Sequence, residues 1–212
     1  MASGSGELAD MQPKSAWLEL RPLGSLSVRL HFAWCGDRYA HCLELTRDGQ
    51  SLVGLRSLEG ADHETWPASP ALQQLNLQTS GAGRSCALLL GMAGKNHWSA
   101  SVETRADRLV FDIACRVQEP AGWLGSSYQI DPSCDRVSQQ PDGSYHLAYG
   151  GDDRPSAVRI VADQGMLAYE RQLGRISVRP RPMADRQTEG ARWGYVMQWI
   201  ASDDASHEGA GP

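Results

Sequence analysis

Apolar and polar residues alternate along most of this chain with a period of two, which is the spacing of a β-strand that buries one face. The pattern is clearest at residues 25–32, where one face carries Leu26, Val28, Leu30 and Phe32. It recurs at residues 98–103 and 108–117, which are joined by a short polar segment. These two segments are therefore predicted to form an antiparallel hairpin at the centre of the fold.

The same alternation predicts roughly a dozen or more short strands, separated by turn signals such as Asp48-Gly49 and Pro141-Asp142-Gly143. The remaining predicted strands are residues 17–20, 39–46, 51–56, 72–78, 86–90, 126–130, 136–139, 144–149, 157–162, 166–171, 175–179 and 193–200. No stretch shows a convincing helical period. The fold class is therefore all-β, and the simplest account is a single-domain antiparallel β-sandwich over residues 15–201. Residues 1–14 and 202–212 are predicted to be disordered tails.

Residues 86–90 differ from the other strands because they form a continuous apolar run, Cys-Ala-Leu-Leu-Leu. Such a run is typical of a strand that is covered on both faces. We therefore expect this segment in the middle of a sheet.

The composition excludes several classes of function. The 212 residues carry a formal net charge of −5, and the arginines are scattered, so no basic patch indicates nucleic-acid binding. The first fifteen residues lack the apolar core of a signal peptide, and no later run is long enough to cross a membrane. A soluble cytoplasmic protein without membrane contact is expected.

Five cysteines, an odd number, show neither C-x-x-C spacing nor histidines at zinc-ligand intervals. We therefore expect reduced thiols, no metal site and no cofactor. The alternative is a disulfide between Cys35 and Cys42.

The segment 91–98 contains Gly-Lys but is not a phosphate-binding loop, because a strand follows where a helix is required. It places Lys95, Asn96 and His97 together between two predicted core strands. One interpretation is that these three side chains face a ligand. The other is that Gly91 and Gly94 only shape the turn.

The long polar loop 58–70 contains His63, Glu64 and Trp66, and a later loop contains Trp123. His63 and Glu64 suggest a base with an orienting carboxylate, although adjacent residues of an extended chain point to opposite faces. The seven tryptophans outnumber the two phenylalanines. Trp66, Trp123 and Trp17 are predicted to expose indoles that stack on sugars or partners, whereas core packing is predicted for Trp34, Trp98, Trp193 and Trp199. His31 is expected on a solvated sheet face.

These residues support three hypotheses. The first is a non-catalytic binding module with a carbohydrate or protein ligand, which would use the loop residues named above. The second is a carbohydrate-active or epimerase-like enzyme in which His63, His97, Glu64 and Glu103 converge as acid and base. The third is an assembly subunit that pairs through an exposed edge strand. The sequence contains no catalytic motif that decides between them, and oligomeric state stays open.

Overall fold

The computed structural model describes residues 15–20, 22, 26–79, 84–120, 122–150, 156–182 and 190–201. The predicted tails 1–14 and 202–212 lie outside the described residues. Within the described part, all regular structure is β-strand, and two large antiparallel sheets pack as a sandwich. The predicted fold class is confirmed. No helix long and apolar enough to cross a membrane occurs in the part of the chain that is described.

The first sheet has seven strands and is built mainly from consecutive hairpins. In spatial order its strands are β1 (Ser15–Glu19), β2 (Leu26–Cys35), β3 (Arg38–Arg47), β4 (Gln50–Ser57), β9 (Ser126–Ile130), β14 (Arg175–Arg179) and β13 (Met166–Glu170). The predicted Asp-Gly turn joins β3 to β4, and both Asp48 and Gly49 have positive φ. This conformation matches the right-handed twist of the flanking strands.

The second sheet has eight strands and combines two meanders. In spatial order its strands are β10 (Cys134–Gln139), β11 (Tyr145–Tyr149), β12 (Ser156–Gln164), β15 (Gly190–Ala201), β8 (Arg108–Arg116), β7 (Asn96–Arg105), β6 (Ser85–Ala93) and β5 (Gln74–Thr79). The hairpin predicted from alternation is β7–β8, whose register runs from His97–Arg116 to Arg105–Arg108. Strand β15 lies between the two meanders and pairs with both.

Alternate residues of both sheets fill the space between them. In β8 the buried positions are Leu109, Phe111, Ile113 and Cys115, and in β15 they include Trp193, Tyr195, Met197 and Trp199. The ring of Phe111 stacks on that of Tyr195 with centroids 4.5 Å apart. The alternation that predicted the strands therefore also identifies the core.

The structure corrects the prediction for residues 86–90. Strand β6 lies next to the edge strand β5 and is covered on one face only, so that Leu88 and Leu90 are 40% and 53% exposed. Met92, the next outward residue, is 47% exposed. An apolar run signals burial only if something packs on both faces, and nothing among the described residues covers the outer face here.

Two further predictions change. Trp34, expected in the core, is 43% exposed near the end of β2. All five cysteines are free, so the Cys35–Cys42 disulfide is absent. In the β2–β3 ladder Cys35 pairs with Arg38, whereas Cys42 pairs with His31. The register therefore separates the two thiols along the hairpin.

Candidate functional site

The loops that the sequence singled out meet at one end of the sandwich. The β6–β7 turn at Gly94 lies against Thr65 and Glu119, since a Cβ at Gly94 would stand 2.8 Å from Thr65 Cγ2 and 2.6 Å from Glu119 Oε2. Residues 58–73, the β6–β7 turn and residues 117–120 and 122–125 are thus brought together. Several of their side chains contact one another.

The two loop tryptophans are half-buried anchors. Trp66 packs edge-on against Trp98, with ring centroids 6.4 Å apart, and Gly122 lies against its indole. The Trp123 Nε1–H donates to the Ala68 carbonyl at 3.0 Å. Both indoles therefore hold loops in place by internal contacts.

Asn96 joins the hairpin turn to the neighbouring loop. It is fully buried, its Nδ2 donates to the Ala93 carbonyl at 3.3 Å, and its Oδ1 accepts from the Gln118 N–H at 2.9 Å. Its amide is used internally and not presented to a ligand. Lys95 is exposed at the tip of the turn.

His63 and Glu64 do not form a pair. The His63 N–H donates to Asp37 Oδ2 at 3.0 Å, and the His63 side chain is 89% exposed. Glu64 Oε2 instead accepts from the Ala61 N–H at 3.0 Å. Hydrogen bonds from Arg38 lower the pKa of the Asp37 carboxyl to about 2, so this group is ionised at neutral pH. The carboxylate next to His63 is therefore that of Asp37 and not that of Glu64.

The acid–base set of the enzyme hypothesis is spread out. His97 and Glu103 lie on one face of β7 but are six residues apart, which corresponds to about 20 Å along a strand. This separation exceeds the reach of two groups that act on one substrate atom.

One predicted residue, His97, lines a groove of about 890 Å³ on the outer face of the eight-stranded sheet. The groove crosses β6, β7, β8 and β15 along two rows of paired residues. One row is Met92, His97, Arg116 and Gly190, and the next is Leu90, Ser99, Ala114 and Arg192. Small residues in the middle of the sheet form the floor, and larger side chains on β6 and β15 form the walls.

Strand β6 forms the apolar wall of the groove. Leu88, Leu90 and Met92 are successive outward residues of β6, and all three are exposed. The Gln73 side chain makes two hydrogen bonds with the Met92 backbone, donating from Nε2 at 2.9 Å and accepting at Oε1 at 2.8 Å. These bonds connect the loop before β5 to the end of β6, and Gln73 also lines the groove.

Two arginines also line the groove, and the charge of one of them is balanced by an ion pair. Arg192 is oriented by Asp112, with Nε 2.7 Å from Oδ1, and Arg116 stands at the other end of the floor. No carboxylate occurs among the described lining residues, so His97 has no acidic partner in the groove. The described lining thus combines an apolar wall with two arginines and one histidine.

Sequence reasoning missed the groove residues other than His97. Leu90 was hidden because the apolar run at residues 86–90 was interpreted as covered on both faces, and Met92 because it was assigned to the loop segment 91–98. Arg116 and Arg192 come from strands far apart in sequence, and their proximity depends on the pairing of β8 with β15.

No protein-family model matches this chain, and no curated protein matches it. The functional conclusion therefore depends on the chemistry of the groove.

Proposed function

We propose that this protein is a non-catalytic binding module that holds a segment of another protein in the groove across β6, β7, β8 and β15. The observation that carries the proposal is the row of exposed apolar residues Leu88, Leu90 and Met92 beside a floor of small residues. Contiguous exposed apolar surface of this kind commonly marks an interaction site.

The lining indicates the chemistry of the bound segment. An apolar side chain fits over Ser99 and Ala114 and packs against Leu90 and Met92. An acidic side chain or a carboxyl terminus of the segment is expected near Arg116 and Arg192, in addition to the Asp112 carboxylate that already binds the Arg192 guanidinium. The groove volume of about 890 Å³ accommodates several side chains.

A protein ligand is favoured over a carbohydrate ligand. Sugar binding was expected from exposed loop indoles, but Trp66 and Trp123 are engaged by Trp98, Gly122 and the Ala68 carbonyl. The groove itself presents aliphatic side chains and arginines, which are the groups that recognise peptides with apolar and acidic residues.

The proposed location is the cytoplasm. All five thiols are free, and reduced cysteines are usual in that compartment.

Selection of a random peptide library on the full chain tests the function. Enriched peptides are expected to share an apolar residue within one or two positions of Asp or Glu. Binding of a selected peptide should weaken by about 10-fold or more in Leu90→Ser, because a wall residue loses its apolar contact. Leu173→Ser is the matched control, since Leu173 is 50% exposed at a distant turn.

Two outcomes count against the proposal. If Leu90→Ser and Leu173→Ser weaken binding equally, the groove is not the binding site. If no peptide is enriched while the protein binds on a glycan array, the ligand is a carbohydrate.

A further inference from the structure

Three side chains of metal-binding type converge on the outer face of the other sheet. His31 of β2 pairs with Cys42 of β3 in the ladder, and Glu44 lies two residues further along β3 on the same face. His31 Nδ1 is 3.9 Å from Cys42 Sγ and 3.5 Å from Glu44 Oε1, and Cys42 Sγ is 3.6 Å from Glu44 Oε1. One nitrogen, one sulfur and one oxygen thus form a compact triangle.

The size of the triangle matches one face of a zinc coordination tetrahedron. Zinc bonds of about 2.0–2.3 Å at tetrahedral angles place neighbouring ligand atoms about 3.3–3.6 Å apart. The observed separations of 3.5, 3.6 and 3.9 Å exceed these values only slightly. The donors therefore need to move inward by only a few tenths of an ångström.

A second layer of contacts orients the donors. Ser15 Oγ lies 2.7 Å from His31 Nε2, so that Nδ1 is the ring nitrogen that faces the triangle. Arg29 Nε donates to Glu44 Oε2 at 3.1 Å, which leaves Oε1 facing inward. Metal-ligating histidines and carboxylates are characteristically held in this way through their outer atoms.

An aromatic cover completes the arrangement. The Trp17 indole stacks on the His31 ring at 3.7 Å with an interplanar angle of 9°, and the Arg29 guanidinium lies 4.1 Å above Trp17. His31, Cys42 and Glu44 are all partly buried. The cover restrains the imidazole and restricts water on that side of the triangle.

We propose that His31, Cys42 and Glu44 bind a zinc ion, whose fourth coordination position is open to water or to another ligand. A mixed set of imidazole, thiolate and carboxylate donors is suited to Zn²⁺. The thiolate and carboxylate together balance the charge of the ion. Arg29 balances the charge of the Glu44 carboxylate when no metal is bound, and Arg56 lies opposite Cys42 in the β3–β4 ladder.

Zinc binding forms the Zn–S bond by displacing the Cys42 thiol proton, which is released to solvent.

Titration of the chelator-treated full chain with Co²⁺ tests the site, because a Co²⁺–thiolate bond gives a charge-transfer absorption. We expect one Co²⁺ per chain, displacement by Zn²⁺, and loss of the absorption in Cys42→Ser. Cys86→Ser, which removes a thiol from the other sheet, should leave the spectrum unchanged. Ser15→Ala should weaken zinc binding by about 10-fold through the loss of an outer contact.

Alkylation of the wild-type chain, mapped by mass spectrometry, tests the same site without a variant. Zn²⁺ should slow alkylation of Cys42 but not of Cys35, which is exposed at the end of β2. The assignment is overturned if Zn²⁺ leaves the alkylation of Cys42 unchanged, or if Cys42→Ser gives the wild-type cobalt spectrum.

Discussion

The hydroxyl groups of Tyr128 and Tyr195 hydrogen-bond to each other in the interior and so connect the two sheets. Tyr128 belongs to β9 and Tyr195 to β15, and both are fully buried. The Tyr128 hydroxyl also lies 2.8 Å from His41 Nε2. Burial raises the pKa of both phenols, so they stay neutral. Their hydrogen bond links the two sheets within an otherwise largely apolar core.

Removing either tyrosine hydroxyl should destabilise the protein, and the free-energy cost of removing one should depend on whether the other is present. Tyr195→Phe and Tyr128→Phe are each expected to cost about 1–2 kcal/mol, because each leaves a buried polar partner with fewer hydrogen bonds. The double variant should cost less than the sum of the two single changes. Urea unfolding measures the three values, with Tyr145→Phe as a control outside this pair. Strict additivity would show that the two hydroxyls are not coupled.

Acid should destabilise the fold through His41. Burial lowers the pKa of His41 from 6.5 to about 4, so below pH 6.5 the unfolded chain binds a proton that the folded chain does not. Stability is therefore lost as the pH falls from 6.5 to 4, by up to about 3 kcal/mol. The free energy of unfolding of His41→Gln, compared with wild type across this range, should depend less on pH. Parallel profiles would contradict the prediction.

Glu59 should have the opposite pH dependence. Its Oε2 is buried without a hydrogen-bond partner among the described residues, and burial raises its pKa from 4.5 to about 7. The folded carboxyl thus holds its proton to higher pH than the unfolded one, and its contribution to stability is lost between pH 4.5 and 7. Glu59→Gln should become more stable relative to wild type by up to about 3 kcal/mol over this range. A difference that does not change with pH would exclude this role.

Gly91 allows the loop before β5 to cross β6. A Cβ at this position would overlap the Ala71 carbonyl oxygen and would lie 2.9 Å from the Gln73 nitrogen. Gly91→Ala is therefore expected to cost about 2 kcal/mol or more. Gly190→Ala is the control, because its new Cβ would meet no heavy atom closer than 3.3 Å. Thermal unfolding should separate the two variants, and similar midpoints would mean that the loop moves freely aside.

The strands could be predicted because their signals are local. Residues 126–130 and 175–179 carry alternation and flanking turns that define β9 and β14 correctly. Their pairing with each other is a contact between distant segments, and no local pattern encodes it. The groove depends on such pairings, since Arg192 meets Ala114 only because β15 lies beside β8.

The proposed zinc site at His31, Cys42 and Glu44 shows a different limit. Spacing along the chain gives no metal motif and led to the expectation of no metal site. The β2–β3 hairpin turns at Gly36 and Asp37. His31 lies five residues before Gly36 and Cys42 lies five residues after Asp37, so the ladder places them opposite each other. The pairing of His31 with Cys42 follows from the position of the turn, but a search for metal-ligand spacings along the chain does not detect it.

The position of β15 has a consequence for how the chain is made. During translation, β5 to β8 and β10 to β12 can each form a meander. The two meanders become one sheet only after β15 has left the ribosome and has paired with both β12 and β8. A polypeptide that stops before Gly190 would expose the inner edges of β12 and β8, and such unpaired edges promote aggregation. Nascent chains of this protein should therefore need protection from one another until the closing strand has been synthesised.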